Sequence, residues 1–180
     1  MARQICDVFD KRIIASRNTI RDKLATIPMR IKKSDFAREL TSWLGTPYHA
    51  QSKKKGIGAD CAGLLVGVAN NLNIIPEIEL KRFPCFWHHF PNPEYYLEKI
   101  EEFTNELKIE EKKEKIQTGD IVTFKIGKVV AHAGIILEMP IFIHAIENTG
   151  VTKGSLLESY WKKRIHKFYR FKGLEIWDDE

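Results

Sequence analysis

The sequence predicts an α+β domain, in which helices occupy the first half of the chain and an antiparallel β-sheet the second half. Two observations lead to this prediction. Apolar residues recur at helical spacing before residue 118, whereas β-branched and aromatic runs bounded by Gly, Pro and Asn follow it. The 180 residues fit one domain, because domains commonly have about 100–200 residues. With 43% hydrophobic and 29% charged residues, the chain is neither wholly disordered nor fibrous.

The first helix is predicted after a basic N-terminal extension, residues 1–33, which is either helical or flexible and contains Pro28. Ser34–Asp35 is the predicted cap of a helix that runs to Leu44 and stops at Gly45. These elements begin the predicted domain, which extends over residues 34–175.

A second helix is predicted to begin at Cys61, after a loop over residues 49–59. It is apolar all round, as expected of a buried helix, and its two glycines permit close packing. Residues 76–93 are predicted to be mostly irregular, and Glu94–Leu107 to be helical.

The second half predicts an antiparallel sheet with a short helix over residues 154–163. An acidic tail, residues 176–180, follows the domain. The predicted strands are Ile121–Ile126, Val129–Leu137, Ile141–Ile146 and Ile165–Phe171.

Charge and cysteine content narrow the function classes. A net charge of +5 favours an anionic partner without selecting one, and no nucleic-acid-binding motif is present. Three cysteines, Cys6, Cys61 and Cys85, are too few for a disulfide framework, and the odd count fits a reducing compartment or a working thiol.

The N-terminus lacks a secretory signal and no apolar run is long enough to span a bilayer, so we expect a chain made in the cytoplasm, with no integral membrane segment.

Cys61 is the most informative residue because it opens the apolar helix. The free N–H groups and the dipole at a helix N-terminus favour the thiolate, which is the nucleophilic form of cysteine. Asp60 would oppose this effect if it pointed at the sulfur, so we expect its side chain to bind elsewhere. The alternative is a buried cysteine that only packs.

Two histidines in neighbouring predicted strands complete a candidate triad. A turn centred on Glu138 would put His132 directly opposite His144, with Cβ atoms about 4.5–5.5 Å apart. One imidazole could then accept a proton from Cys61 while the other orients it. The alanines that flank His132 would face a helix on the other side of the sheet. The alternative is two core histidines, and a register slip of one residue would separate them.

Five short motifs follow in order along the chain: Gly45-Thr46-Pro47-Tyr48, Asp60-Cys61-Ala62-Gly63-Leu64, Gly119-Asp120-Ile121-Val122, His132-Ala133-Gly134-Ile135 and Ile143-His144-Ala145. Together they resemble the NlpC/P60 family of papain-like cysteine peptidases, and most of all its phage-type and gene-transfer-agent-type cell wall peptidases. The resemblance covers roughly residues 34–173.

The resemblance implies a papain-like fold, in which the nucleophile helix packs on the sheet, and a role for each site residue. Cys61 would be the nucleophile, His132 the general base and His144 the residue that orients His132. Tyr48 would lie by the thiol and help to bind the substrate or the oxyanion. Asp60 would face a free amino group of the substrate.

The implied reaction is hydrolysis of an amide in the peptidoglycan stem peptide, typically γ-D-glutamyl to diamino acid, through a thioester and without metal or cofactor. The implied partners are the wall peptide and phage tail or particle proteins, with action at the cell wall. Two departures bear on the substrate: Ala62 replaces the usual serine, and Lys53–Lys55 stand where the family is Gly-rich. The alternatives are a wall-binding structural component without catalysis, and an acyltransferase or deamidase on the same triad.

A second cluster, Cys85, His88 and His89, lies in an aromatic segment that includes Tyr96. No second group of ligands accompanies it, so metal binding is the lesser interpretation. The favoured one is an aromatic loop that packs at the edge of the cleft or contacts the substrate.

Overall fold

A computed structural model describes residues 29–77, 95–109 and 115–179, except for the side chain of Tyr95. Most of the predicted extension and the segment 78–94, which holds Cys85, His88 and His89, lie outside the described residues. The helices are α1 (Lys33–Thr41), α2 (Cys61–Asn71), α3 (Tyr95–Phe103) and α4 (Ser159–Lys162). The strands are β1 (Met29–Lys32), β2 (Lys53–Lys54), β3 (Gly58–Ala59), β4 (Thr104–Glu106), β5 (Ile121–Ile126), β6 (Val129–Glu138), β7 (Ile141–Ile146), β8 (Gly150–Ser155), β9 (Ile165–Phe171) and β10 (Leu174–Trp177).

The predicted antiparallel sheet is confirmed, and it has six strands in the order β4-β9-β5-β6-β7-β8. Three of the four predicted strands have the expected bounds, and β6 runs one residue further, to Glu138. The helix predicted over 154–163 is wrong at its start, because Gly154 and Ser155 pair with β7 as part of β8. Only Ser159–Lys162 is helical.

The sheet buries apolar residues on both faces. One face packs against α2, and Ala133, Ile135 and Ile143 of the sheet share a core with Leu64 and Val68 of the helix. The confirmed burial of Ala133 fits the prediction that small residues beside His132 make room for a helix. The other face has a smaller core, whose buried residues are Val122, Phe124, Ile136, Phe142, Leu156 and Trp161.

The predicted apolar helix is confirmed as α2, and its glycines allow two close contacts. A Cβ atom at Gly63 would overlap the carbonyl oxygen of Ser52, and one at Gly67 would overlap the ring of Trp43. Any larger residue at either position would therefore push α2 away from the segments that pack on it.

The predicted cap of α1 is wrong. The helix begins at Lys33, its N-cap is Lys32, and no side chain caps it. Ser34 instead uses its hydroxyl to donate a hydrogen bond to Asp179 at 2.7 Å. This bond ties the start of the described chain to its end.

A parallel pair of strands joins β1, which lies before the predicted boundary at 34, to β10, which crosses the predicted boundary at 175. Met29 pairs with Leu174, and Arg30 forms an ion pair with Glu175 at 3.2 Å. Within the described residues, none of the helices is long and apolar enough to cross a membrane.

The Gly119-Asp120 motif stabilises the sheet. Asp120 is 1% exposed, and its carboxylate accepts hydrogen bonds from Arg170 Nε at 2.7 Å and Nη2 at 2.8 Å. A third hydrogen bond comes from the backbone N–H of Gln117 at 2.8 Å. The motif therefore ties the entry of β5 to β9, because Arg170 lies on β9.

Candidate active site

Asp60 caps the helix that carries the thiol. Its Oδ1 accepts a hydrogen bond from the backbone N–H of Gly63 at 2.7 Å, and its Oδ2 accepts one from Gln51 N–H at 2.6 Å. The prediction that this side chain binds something other than the sulfur is confirmed. Burial raises the pKa of Asp60, although the backbone donors counteract it.

Cys61 is partly buried at the first position of α2, and its sulfur contacts the hydroxyl of Tyr96. That hydroxyl donates a hydrogen bond to Sγ at 3.4 Å. Burial, with the negative charge of Asp60, raises the pKa of the Cys61 thiol to about 11. Hydrogen bonds from Tyr96 and from the backbone N–H groups of Ala133 and Ala62 act in the opposite direction.

The predicted low pKa at the helix N-terminus is therefore wrong for this structure. Asp60 takes one of the free N–H groups of the helix for itself and adds a negative charge beside the sulfur. Desolvation of a thiolate also outweighs the stabilisation that a helix dipole provides. At neutral pH the thiol carries its proton.

His132 and His144 lie on the same face of the sheet, as predicted, and contact each other. The distance from Nε2 of His132 to Nδ1 of His144 is 2.9 Å. The prediction that they lie directly opposite each other is wrong, because Ile135 pairs with Ile143. This register puts Gly134 opposite His144 and makes the two histidines diagonal neighbours.

The connection between the two strands explains the difference. β6 ends at Glu138 and β7 begins at Ile141, so the turn has two residues, and an irregularity follows Ile136. The resulting shift is two residues, which keeps both imidazoles on one face.

Gly134 leaves room for the diagonal contact. A Cβ atom at this position would lie 2.5 Å from Cδ2 of Phe142 and 3.3 Å from Cβ of His144. Because glycine carries no side chain, the imidazole of His132 can reach across to His144 without obstruction.

Aromatic rings enclose the histidine pair. His132 stacks on Trp161 with ring centroids 5.2 Å apart, and Phe124 lies 5.9 Å away. His144 meets the edge of Trp161 at 4.7 Å and packs on Phe142 at 4.6 Å.

These surroundings keep both histidines neutral. Burial lowers the pKa of His132 to about 3, and repulsion from a protonated His144 acts in the same direction. Burial lowers the pKa of His144 to about 4. The contact between them is therefore an N–H of one ring bonded to the unprotonated nitrogen of the other.

The thiol and the histidine pair lie along the same part of β6. The sulfur faces the backbone N–H of Ala133, which directly follows His132. In the part of the chain that the structure describes, no hydrogen bond joins Sγ to either imidazole. The Cys-His-His triad stays a prediction. The structure brings two of its three members, the histidines, into contact.

Tyr48 and Cys61 pack against the same core, of which Tyr96 is a buried member. Tyr48 is half-buried, forms a bridge with Ala59 and raises the pKa of Tyr96 by its charge. The expected position of Tyr48 beside the thiol and its role towards a substrate both stay predictions. The role of Asp60 towards a substrate amine also stays a prediction.

Tyr96 is the site residue whose role sequence reasoning missed, since it was predicted only to pack or contact substrate in an aromatic segment. A signal for its burial exists, because Tyr96 and Ile100 share one face of α3 at a spacing of four. Nothing in the sequence connects that face with Cys61. The described residues also contain no group of three or more side chains that could hold a metal ion.

Comparison with known proteins adds to this picture. The model of the NlpC/P60 family matches residues 45–170. A protein named murein DD-endopeptidase MepS/murein LD-carboxypeptidase, from Escherichia coli strain K12, is 27% identical over 139 residues, which are 77% of this chain and 62% of that protein. The chain therefore spans about three fifths of this curated relative.

Two solved structures share the fold. An NLP/P60-family protein from Staphylococcus aureus, described as similar to a lipoprotein, has a TM-score of 0.54 and 24% identity over 81% of this chain and 44% of that chain. An NlpC/P60 family protein from Bacillus cereus has a TM-score of 0.55 and 17% identity over 81% of this chain and 42% of that chain. The predicted α+β fold is confirmed.

Proposed function

The chain belongs to the NlpC/P60 family, and on this premise we propose that it is a cell wall peptidase, which hydrolyses an amide bond in the peptide of peptidoglycan with Cys61 as nucleophile. The observation that carries the proposal is the thiol at the start of α2, beside the strand that bears the hydrogen-bonded histidines. The name of the Escherichia coli relative, a murein endopeptidase and carboxypeptidase, supports the class of substrate.

His132 is the proposed base. Its Nε2 contacts His144, so Nδ1 is the ring nitrogen that remains for the thiol proton. For Nδ1 to accept, Nε2 must carry a hydrogen and donate it to Nδ1 of His144, and the contact at 2.9 Å supports that tautomer. Substrate binding has to bring Sγ and Nδ1 together, since no hydrogen bond joins them among the described residues.

The proposed reaction passes through a thioester. The sulfur attacks the amide carbon as the thiol proton moves to His132, and His132 then gives that proton to the departing amine. Water next attacks the thioester carbon while His132 takes one of its protons, the S–C bond breaks with its electron pair going to sulfur, and the proton on His132 then restores the thiol. The backbone N–H of Cys61 is the proposed donor to the oxyanion, because it lies at the start of α2.

The bond that is cut belongs to this proposal as well. A γ-D-glutamyl to diamino acid bond is what the family resemblance implies, whereas the relative's name specifies DD and LD bonds. The phage-type subclass and delivery by a particle remain predictions.

Digestion of purified peptidoglycan and of soluble muropeptides tests the proposal. We expect the native chain to release a new amine, with product masses that identify the bond. Cys61→Ala should abolish release, whereas the paired variant Cys6→Ser/Cys85→Ser should retain it and so controls for loss of thiols in general. Turnover by Cys61→Ala would refute the role of the thiol, and release of ammonia alone would indicate a deamidase.

A second candidate is a wall-binding module without catalysis. It is favoured by the contact of Sγ with Tyr96 rather than with an imidazole, and by the raised pKa of the thiol. It predicts that the native chain and Cys61→Ala sediment equally with peptidoglycan and that neither cleaves it.

A further inference from the structure

Tyr96 is the side chain in hydrogen-bonding contact with the sulfur of Cys61. Its ring belongs to the buried face of α3, where Tyr96 is 9% and Ile100 is 7% exposed, so packing fixes its position. Its hydroxyl extends beyond this apolar face and donates to Sγ at 3.4 Å.

We infer that Tyr96 is a catalytic residue that donates a hydrogen bond to the sulfur of Cys61 and stabilises the thiolate whenever it forms. This inference rests on the proposed function, in which Cys61 is the nucleophile. It assigns to α3 a part in the chemistry as well as in the core.

The state of the phenol suits a donor. Burial raises the pKa of Tyr96 well above its usual value, and a negative charge on Cys61, Asp60 or Tyr48 acts in the same direction. The hydroxyl therefore keeps its proton at neutral pH. A buried tyrosine hydroxyl usually takes a hydrogen-bond partner, and the sulfur of Cys61 is one such partner, at 3.4 Å.

The sulfur needs such a donor. Burial and the carboxylate of Asp60 both disfavour the thiolate. Against them act Tyr96 and the backbone N–H groups of Ala133 and Ala62. Of these donors only Tyr96 is a side chain, and neither imidazole bonds to Sγ within the residues described. Removal of the Tyr96 hydroxyl should therefore change the ionisation of Cys61 directly.

The thiolate develops twice in the proposed reaction. During acylation the S–H bond breaks, its proton goes to His132 and the S–C bond forms, after which the C–N bond breaks and the amine leaves with that proton. During deacylation water adds to the thioester carbon and gives one proton to His132, the S–C bond breaks and the electron pair returns to sulfur. A donor already at Sγ stabilises the negative charge in both steps.

Alkylation of Cys61 against pH tests this inference, in a Cys6→Ser/Cys85→Ser background with iodoacetamide as probe. Tyr96→Phe keeps the ring and removes the donor. We expect its inflection to rise by about half to one pH unit, which slows alkylation below the inflection about three- to tenfold. Fluorotyrosine at position 96 is a stronger donor of the same shape, so it should move the inflection down even if Tyr96→Phe proves unstable.

Tyr169→Phe is the matched control. It also removes a buried phenol hydroxyl, which contacts Oε1 of Glu101 on the same helix α3 at 3.3 Å, but not the sulfur. We expect its inflection to stay at the native position. Equal shifts in Tyr96→Phe and Tyr169→Phe would overturn the inference, because they would show that docking of α3 controls the thiol.

An unchanged inflection in Tyr96→Phe would also overturn the inference, because it would show that Tyr96 only packs over the sulfur. The alkylation result does not depend on wall cleavage, so failure of the native chain to digest peptidoglycan would refute the proposed function alone. If the native chain cleaves, Tyr96→Phe should lower kcat by about the same three- to tenfold, with KM retained.

Discussion

Acidification should destabilise the fold through its histidine pair. The pKa values of His132 and His144, about 3 and about 4 in the folded chain, lie below the value of about 6.5 expected after unfolding. Between these limits the unfolded chain binds more protons than the folded chain, so the free energy of unfolding falls as the pH falls. The stabilisation is fully present above about pH 6.5 and is lost progressively below it.

The size of the effect follows from the number of protons. Each histidine contributes up to about 1.4 kcal/mol per pH unit, so the two together lower the free energy of unfolding by about 4 kcal/mol between about pH 7 and pH 5. Urea unfolding at several pH values measures this loss. His144→Gln removes one titrating ring and should reduce the loss to about 2 kcal/mol.

A packing variant separates titration from general destabilisation. Phe142→Leu removes part of the ring that packs on His144 at 4.6 Å and should cost about 1 kcal/mol at every pH. Because it keeps both imidazoles, its loss between about pH 7 and pH 5 should equal that of the native chain. A native loss below about 1 kcal/mol, or an equal loss in His144→Gln, would refute the buried neutral pair.

Three further substitutions, of which Glu106→Gln is a control, test the contacts that hold the sheet and the histidine pair in place. Asp120→Asn breaks the ion pair of a buried carboxylate with Arg170 and should cost about 3–5 kcal/mol in urea unfolding. Glu106→Gln, which removes the partly exposed pair with Lys167, should cost at most about 1 kcal/mol. Equal costs would contradict a structural role for the Gly119-Asp120 motif. Gly134→Ala places a methyl group 3.3 Å from Cβ of His144 and should cost about 1–3 kcal/mol. It should also broaden or shift the imidazole signals in NMR, and an unchanged spectrum would count against the packing described.

The central strands were predictable because the residues at and next to their ends determine where they begin and end. β5, β7 and β9 are β-branched and aromatic runs that end at turn residues, and their observed bounds equal the predicted ones. Helix α2 was predictable for a similar reason, because an apolar run follows the capping residue Asp60.

Elements that depend on distant partners were not predictable. Met29 and Leu174 pair although they lie 145 residues apart in sequence, and neither strand is long or apolar enough to be predicted from its own residues. The residues of β4 were predicted to continue a helix, because their strand conformation depends on pairing with β9, which lies far away in sequence. Short strands of this kind take their structure from tertiary contacts.

The ionisation of the thiol was mispredicted because only the helix end was considered. The dipole and the free N–H groups are properties of α2 itself, and they favour a thiolate. Burial comes from elsewhere, since the phenol of Tyr96 lies 35 residues away in sequence. The charge of Asp60 also persists when its oxygens turn to Gly63 and Gln51, because a capping carboxylate remains close to the first residue of its helix.

The positions of the two histidines show which errors in a predicted strand register matter for such a site. Side chains in a strand alternate between faces, so a shift of one residue would have put His132 and His144 on opposite sides of the sheet. The actual difference from the predicted register is two residues, which converts an opposite pair into a diagonal pair on one face. Diagonal positions are farther apart, so direct contact needs an unobstructed path between the rings. Gly134, opposite His144, provides that path, and the motif His132-Ala133-Gly134 therefore encodes the contact as well as the ring that makes it.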